Sequence, residues 1–172
     1  MHKKKVIVLP YDPNWPNEFE KIKSELAAAL PLPNLRIEHV GSTSVPGLAA
    51  KPVIDLDLII EDDLFREIKQ RLLAAGYTHE GDLGIPGREA FKYSGKPHLM
   101  KHHLYVCGKS SQEWQRHLAF RDWLKNHADD RDWYARTKLE AASLYPEDID
   151  AYILYKTPCI FTIYQKCGLL TK

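Results

Sequence analysis

The chain is poor in every device that holds a protein together from outside its own core. Its three cysteines, Cys107, Cys159 and Cys167, are widely spaced in 172 residues. Their number is odd and no CxxC pair exists, which argues against a disulfide framework and a structural zinc site. Cys107 ends an apolar stretch and reads as a small hydrophobe. No apolar run approaches the roughly 20 residues that cross a bilayer. The start, His2-Lys3-Lys4-Lys5-Val6-Ile7-Val8-Leu9, has too short an apolar region for a signal peptide, so a soluble cytoplasmic protein is expected. An excess of one charge is missing too. With 24 basic and 23 acidic side chains the formal net charge is +1, and no global field points to nucleic acid or membrane. The longest like-charge run, Lys3-Lys4-Lys5, reads as a solvated end. There is no internal repeat or low-complexity segment. What remains is a length that buries a real core as a single domain, 1–172.

The first two thirds read as strands and helices in mixed order. A short strand is expected over 5–9, closed by Pro10. Asp12-Pro13-Asn14 then opens a helix, on which Trp15, Phe19, Ile22, Leu26 and Leu30 form one apolar face. Pro31 and Pro33 end it. Strands are expected at 35–40 and 52–60, the second preceded by a loop or single helical turn over 45–50. Asp62 or Asp63 is the expected cap of a helix that buries Leu64, Phe65, Ile68 and Leu72 and stops at Gly76. Further strands are expected at 77–80, 89–93 and 99–106, with a loop over 81–87. After Gly108 the chain turns helical. Ser110 with Glu113 forms a capping box; a second helix starts near Asp129-Asp130 and a third after Pro146, with Pro158 expected to kink or split it. The fold class is α/β, an α+β mixed sheet over about 1–108 with a helical cap over about 109–172.

The stretch around which this is arranged is His39-Val40-Gly41-Ser42-Thr43-Ser44-Val45-Pro46-Gly47-Leu48, followed by Lys51-Pro52-Val53-Ile54-Asp55-Leu56-Asp57. Gly41 and Ser42 permit close approach of a ligand to the backbone. Asp55 and Asp57 are two apart, so on a strand both carboxylates point to one face. Alternation also puts His39 with Gly41 and His103 with Tyr105, leaving His102 with the apolar set. If these strands adjoin, two acids and two imidazoles, His39 and His103, converge as metal ligands. Hard oxygens suit Mg²⁺ or Mn²⁺, and imidazole adds Zn²⁺ or Fe²⁺. Each histidine equally suits a structural hydrogen bond. The basic complement is Lys51, Arg88, Lys92 and Lys101, plus two helical pairs at i,i+4, Tyr134 with Lys138 and Tyr152 with Lys156. Those lysines either lean over a cleft to meet phosphate or pack their stems on tyrosine.

The central motif closely resembles the GrpB family. Tyr11-Asp12-Pro13-Asn14-Trp15-Pro16, His102-His103-Leu104-Tyr105-Val106, Leu118-Ala119-Phe120-Arg121-Asp122 and the two Tyr/Lys pairs resemble its other hallmarks, over essentially the whole chain. The resemblance implies a nucleotidyltransferase-like core of the polymerase-beta superfamily, in which a Gly-Ser turn holds nucleotide phosphates and an Asp-x-Asp strand binds divalent metal. It also implies a link to nucleotide or cofactor metabolism, because a similar domain is fused to dephospho-coenzyme A kinase in some bacteria. Two departures stand out. The strand expected to carry a third carboxylate offers His103 and Tyr105, and Tyr105 stands where many such sequences have a second His.

The leading expectation is nucleotidyl transfer from a nucleoside triphosphate to a small acceptor. Asp55 and Asp57 would hold the metal, Gly41, Ser42, Thr43 and Ser44 the phosphates, and Lys51, Arg88, Lys138 or Lys156 would offset their charge. His103 is the candidate acceptor-activating base. The alternatives are a non-catalytic nucleotide-binding module and a hydrolase using His39, Asp55, Asp57 and His103 around one metal.

Overall fold

A computed structural model describes residues 5–169. Most of the Lys3-Lys4-Lys5 run and the extreme start read for a signal peptide lie outside them. Five strands, β1 Arg36–Val40, β2 Ile54–Ile60, β3 Tyr77–Gly81, β4 Glu89–Tyr93 and β5 His102–Gly108, form one mixed sheet in the order β1-β2-β5-β4-β3. The central pair, β2 and β5, is parallel and the other pairings are antiparallel. A parallel pair at the centre is covered on both faces. This is why β2 reads as Ile54-Asp55-Leu56-Asp57-Leu58-Ile59-Ile60, apolar apart from the two acids, with six of its seven residues buried, all but Asp55.

Helix α1, Trp15–Ala29, and helix α2, Phe65–Ala74, cover one face of the sheet. Trp15, Phe19, Ile22, Leu26 and Leu30 pack with Ile54, Leu56, Leu58, Leu104 and Val106 in the main core, to which α2 adds Ile68 and Leu72. The three later helices, α3 Gln112–Asn126, α4 Ala128–Leu144 and α5 Ile149–Lys166, bury a second core. There Leu124, Tyr134, Cys159 and Ile163 close on Val45 and Leu48, from the segment just after the Gly41 turn. The turn is thereby fixed from both sides, by the sheet before and after it and by the helical layer.

Several local expectations are corrected. Residues 5–9 are extended but form no strand. Leu9 exchanges backbone bonds with Ala50 at 2.9 Å while Val6 donates to the Pro146 carbonyl at 2.8 Å, so two partners divide the segment and no ladder grows. Neither Asp62 nor Asp63 caps α2. They form a single 3-10 turn, and Asp62 Oδ1 accepts from the Ser110 backbone N–H at 3.4 Å. Ser111, not Ser110, caps α3, accepting from the Glu113 N–H at 3.1 Å. The strand expected from residue 99 begins at His102, because Leu99 is still closing a turn onto the Lys96 carbonyl. Helix α5 runs through Pro158 without splitting. The carbonyl that Pro158 leaves without a donor belongs to exposed Leu154 and can meet water.

Candidate functional site

The parallel register of the two central strands sets Asp55 beside His103 and Asp57 beside Tyr105. Partners in a register share a face, so both acids, His103 and Tyr105 project away from α1 and α2. Asp55 Oδ1 accepts a hydrogen bond from His103 Nδ1 at 2.9 Å. Asp57 is 0% exposed, and its Oδ2 accepts from Nδ1 of His117, which α3 lowers onto this face, at 2.6 Å. Burial works against a charged His117 ring, but the bond and charge of Asp57 outweigh it and the pKa lies above the ordinary histidine value. One helical turn further along α3, Arg121 donates to Glu38 Oε2 at 3.0 Å and to the His39 carbonyl at 3.1 Å. Glu38 lies opposite Asp57 in the β1–β2 register, so it is a third carboxylate on the acid face, held by Arg121 and Arg36.

His39 is placed elsewhere. Val40 lies opposite Asp55 and His39 opposite Leu56, which puts the His39 ring on the α1 face. It stacks on Phe19 at 4.7 Å and shares a 2.9 Å hydrogen bond with Thr43 Oγ1. Burial pulls its pKa down to about 4. The expected convergence of His39 with Asp55, Asp57 and His103 therefore fails. Among the described residues no group of three or more His, Cys, Asp or Glu side chains is arranged to hold a metal. The hydrolase reading that needed the four-residue set loses its geometry.

The turn divides into scaffold and surface. Gly41 adopts φ 71° and leads into a 3-10 turn over Ser42–Ser44. A Cβ on Gly41 would lie 2.2 Å from Asp55 Oδ2, so only glycine lets the turn pass this close to the acid. Ser44 Oγ donates back to the Gly41 carbonyl at 2.5 Å, and Thr43 is occupied by His39 and, at 3.4 Å, by the Val53 carbonyl. Both hydroxyls hold the turn together, and Thr43 also lines the cavity described next. Ser42 faces the helical layer, where its hydroxyl bonds buried Tyr134.

A cavity of about 330 Å³ opens between the turn and the helical layer, lined by Gly41, Ser42, Thr43, Lys51, Asp55 and His103 from one side and by His117, Phe120, Lys138 and Lys156 among others from the other. Lys138 and Lys156 each lie over their i−4 tyrosine, at 4.4 Å from the Tyr134 ring and 4.3 Å from the Tyr152 ring. Lys51 approaches the same Tyr152 ring at 5.5 Å. Burial, reinforced by Lys51, brings Lys156 down to about 8. Burial also lowers Lys51 and, with Lys156 beside it, holds Lys138 well below the usual lysine range. Arg88 does not join this group. It stacks on Tyr105 at 4.3 Å, on the acid face but outside the cavity lining. A larger groove of about 590 Å³ runs along the outer edge of β1 between Leu32 and Trp114, but it is mainly apolar and holds none of the acid-face residues.

The donor set fits a hard divalent cation. Asp57 Oδ1 is buried without a hydrogen-bond partner among the described residues. Asp55 is bonded to His103 through Oδ1. Two carboxylates are few for an all-protein cage but suit Mg²⁺ or Mn²⁺, which commonly takes its other positions from water and substrate phosphates. His103 and His117 meet the aspartates through Nδ1, the arrangement in which a histidine's Nε2 is oriented toward a metal, so imidazole and Zn²⁺ or Fe²⁺ stay beside Mg²⁺ and Mn²⁺.

Sequence reasoning passed over His117 and Glu38. A signal for the first was present: Glu113, His117 and Arg121 recur every four residues along one helix face. For Glu38 only the register tells.

Fold and site together define a mixed α/β protein whose sheet, Gly-Ser turn and helical layer enclose a cleft lined by Asp55 and His103 and by three lysines. Residues 5–166 match the family described as GrpB protein, and the chain belongs to the GrpB family. A UPF0157 protein of Pseudomonas aeruginosa is 42% identical over 174 residues, covering 98% of this chain and 70% of that protein. The crystal structure of the conserved protein GrpB from Enterococcus faecalis superimposes with TM-score 0.81 at 34% identity, covering 94% of this chain and 96% of that one. A dephospho-CoA kinase of Mycolicibacterium paratuberculosis is 33% identical over 94% of this chain, which spans only 46% of that protein. No helix among the described residues is long and apolar enough to cross a membrane.

Proposed function

We propose that the cleft binds a nucleoside triphosphate with a divalent cation and transfers its nucleotidyl group to a small acceptor. The observation that carries this reading is the shared cavity. Asp55, the Gly41-Ser42 turn and the amines of Lys51, Lys138 and Lys156 all face one space of about 330 Å³. A ligand that satisfies both ends carries several negative charges and brings its own cation. The family resemblance supports the same class, a nucleotidyltransferase-type core in which a Gly-Ser turn leads into an Asp-x-Asp strand.

Asp55 and Asp57 would hold Mg²⁺ or Mn²⁺, whose chemistry is to neutralise charge that builds on the phosphates. Lys51 and Lys156 meet the phosphates as point charges, and Lys138 lines the wall behind them. The Gly41 turn brings backbone close to the phosphates, and Ser42 positions that turn against Tyr134. His117 fixes the Asp57 carboxylate through Oδ2 and leaves Oδ1 free. His103, bonded to Asp55 and with a side chain 46% exposed at the cavity, is the imidazole placed to take a proton from an acceptor hydroxyl. Catalysis in such a site is positioning and electrostatic stabilisation.

A second reading, a nucleotide-binding module without turnover, is favoured by one observation. The β5 position beside Asp57 is Tyr105, and the remaining carboxylate on this face, Glu38, is neutralised by Arg121 and Arg36. Incubation with labelled nucleoside triphosphates, Mg²⁺ or Mn²⁺ and a metabolite extract separates the two. Pyrophosphate release with a nucleotidylated product supports transfer, and saturable binding without pyrophosphate supports the module. If no nucleoside triphosphate binds under either metal, both readings are wrong.

A further inference from the structure

Lys138 is more deeply committed to the interior than phosphate binding requires. Its side chain is 2% exposed, and Nζ has no hydrogen-bond partner among the described residues. The amine lies over the Tyr134 ring at 4.4 Å. One aromatic face does not offset the lost hydration of a buried ammonium. The charged and titratable groups around it are Lys156, Asp55, Lys51 and Cys159, and the two lysines oppose a further positive charge. A neutral amine removes both penalties, in keeping with burial and Lys156 holding its pKa well below the ordinary value. A desolvated lysine beside other cations is the setting in which the amine becomes a nucleophile toward carbonyl carbon.

We propose that Lys138 forms an imine with an aldehyde or ketone that carries a phosphate or carboxylate, the anionic group resting on Lys51 and Lys156. The amine lone pair attacks the carbonyl carbon, and a proton passes from nitrogen to oxygen to give a carbinolamine. Its hydroxyl then leaves as water, with a second proton from nitrogen, while the C=N bond forms. The step is a condensation and requires no oxidant or reductant. Lys138 lines the cavity on a flexible four-carbon stem, so rotation of that stem brings Nζ to a carbonyl held there. This activity goes beyond nucleotidyl transfer and does not use Asp57 or a metal.

The test is reductive trapping on the full chain without metal. The protein is incubated near neutral pH with pyridoxal 5′-phosphate or with glyoxylate, then treated with borohydride, and the modified lysines are mapped by peptide mass spectrometry. Lys138 should be labelled about tenfold faster than exposed lysines such as Lys21 and Lys92. Inorganic triphosphate should suppress that label selectively. Preference for the first probe identifies a phosphate ligand, and preference for the second a carboxylate. Lys138→Met keeps a neutral, packed stem but cannot form the imine, so it should lose the label while retaining the wild-type circular dichroism spectrum. Should that variant not fold, triphosphate protection of the wild-type chain decides alone. Labelling confined to exposed lysines, labelling of Lys156 with Lys138 unmodified, or a Lys138 label insensitive to triphosphate overturns the proposal. Absence of nucleotide turnover leaves it standing, so the two readings fail separately.

Discussion

The two ends of the cleft are built by opposite rules. At the acid end every carboxylate has a partner from a different part of the chain: Asp55 has His103, Asp57 has His117, and Glu38 has Arg121. At the lysine end Lys51, Lys138 and Lys156 gather within reach of two tyrosine rings, and no salt bridge to a carboxylate joins them among the described residues. The difference separates what folding completes from what a ligand completes. At the acid end the protein partners one oxygen of each aspartate, His117 and Arg121 use such bonds to seat α3 on the sheet, and Asp57 Oδ1 is left without a partner among the described residues. The lysine end is a positive surface turned inward, stable only because burial lowers its charge, and it gains most from an incoming anion.

That contrast breaks most visibly at Asp57. Asp57→Ala leaves the His117 ring without its hydrogen-bond acceptor under the helical layer, and loss of one member of a buried pair costs about 3 kcal/mol. The urea midpoint should fall accordingly, and metal-dependent nucleotide turnover should drop by about 10²–10³. Binding of inorganic triphosphate without metal should not change, because the lysines are untouched. Equal loss of both would mean that the two ends are one structural unit.

Gly41→Ala strikes the seam between the ends. The new Cβ would lie 2.2 Å from Asp55 Oδ2, at a backbone φ of 71° that side chains rarely adopt. The acid must swing away, at a cost of about 1–3 kcal/mol in stability by overpacking and strain. Thermal unfolding measures that loss, and titration with Mn²⁺ should show weakened metal binding. An unchanged Mn²⁺ affinity would remove Asp55 from the metal site.

How much of this was legible beforehand depends on the range of the interaction. The period of two placed Asp55 and Asp57 on one face, and the period of 3.6 found the Trp15, Phe19, Ile22, Leu26 face, since both are local properties of a chain with a repeat. The i,i+4 pairing found the Tyr134/Lys138 and Tyr152/Lys156 pairs for the same reason. His39 was misplaced because alternation says which residues of one strand share a face, not how the next strand registers against it. That register is set by the Gly41 turn, whose positive φ and 3-10 geometry bring Val40, not His39, opposite Asp55. His117 was visible as a residue but not as a partner, because nothing in a helix's own sequence says that it folds back over a sheet 60 residues earlier. Ser44 and Thr43 looked like ligand groups because hydroxyls beside a glycine serve either the turn or its ligand.

At the lysine end the effects are smaller and depend on pH. Lys156→Met should weaken triphosphate binding about tenfold, the value of one charge-assisted contact. In the wild-type chain Lys156 loses its proton near a pKa of about 8, so triphosphate affinity should fall as pH rises through that value. Stability should move the other way. The folded pKa lies below the ordinary lysine value of 10.5, so between about 8 and 10.5 the unfolded chain binds more protons and unfolding becomes harder as pH rises. In Lys156→Met the Lys156 part of both slopes should disappear. A triphosphate affinity flat from pH 7 to 9 in the wild-type chain would show that Lys156 does not meet the anion.

The mildest change separates scaffold from ligand group within the turn itself. Ser44 is buried, and among the described residues its hydroxyl bonds only the Gly41 carbonyl, at 2.5 Å. Ser44→Ala should therefore cost about 1 kcal/mol, the net value of one internal hydrogen bond, read as a shift in the urea midpoint. Triphosphate affinity should stay at the wild-type value, because Ser44 acts on the shape of the turn and Lys51 and Lys156 hold the charge. If affinity falls while the midpoint holds, the hydroxyl turns to the ligand when one is bound, and the turn is a jaw of the site.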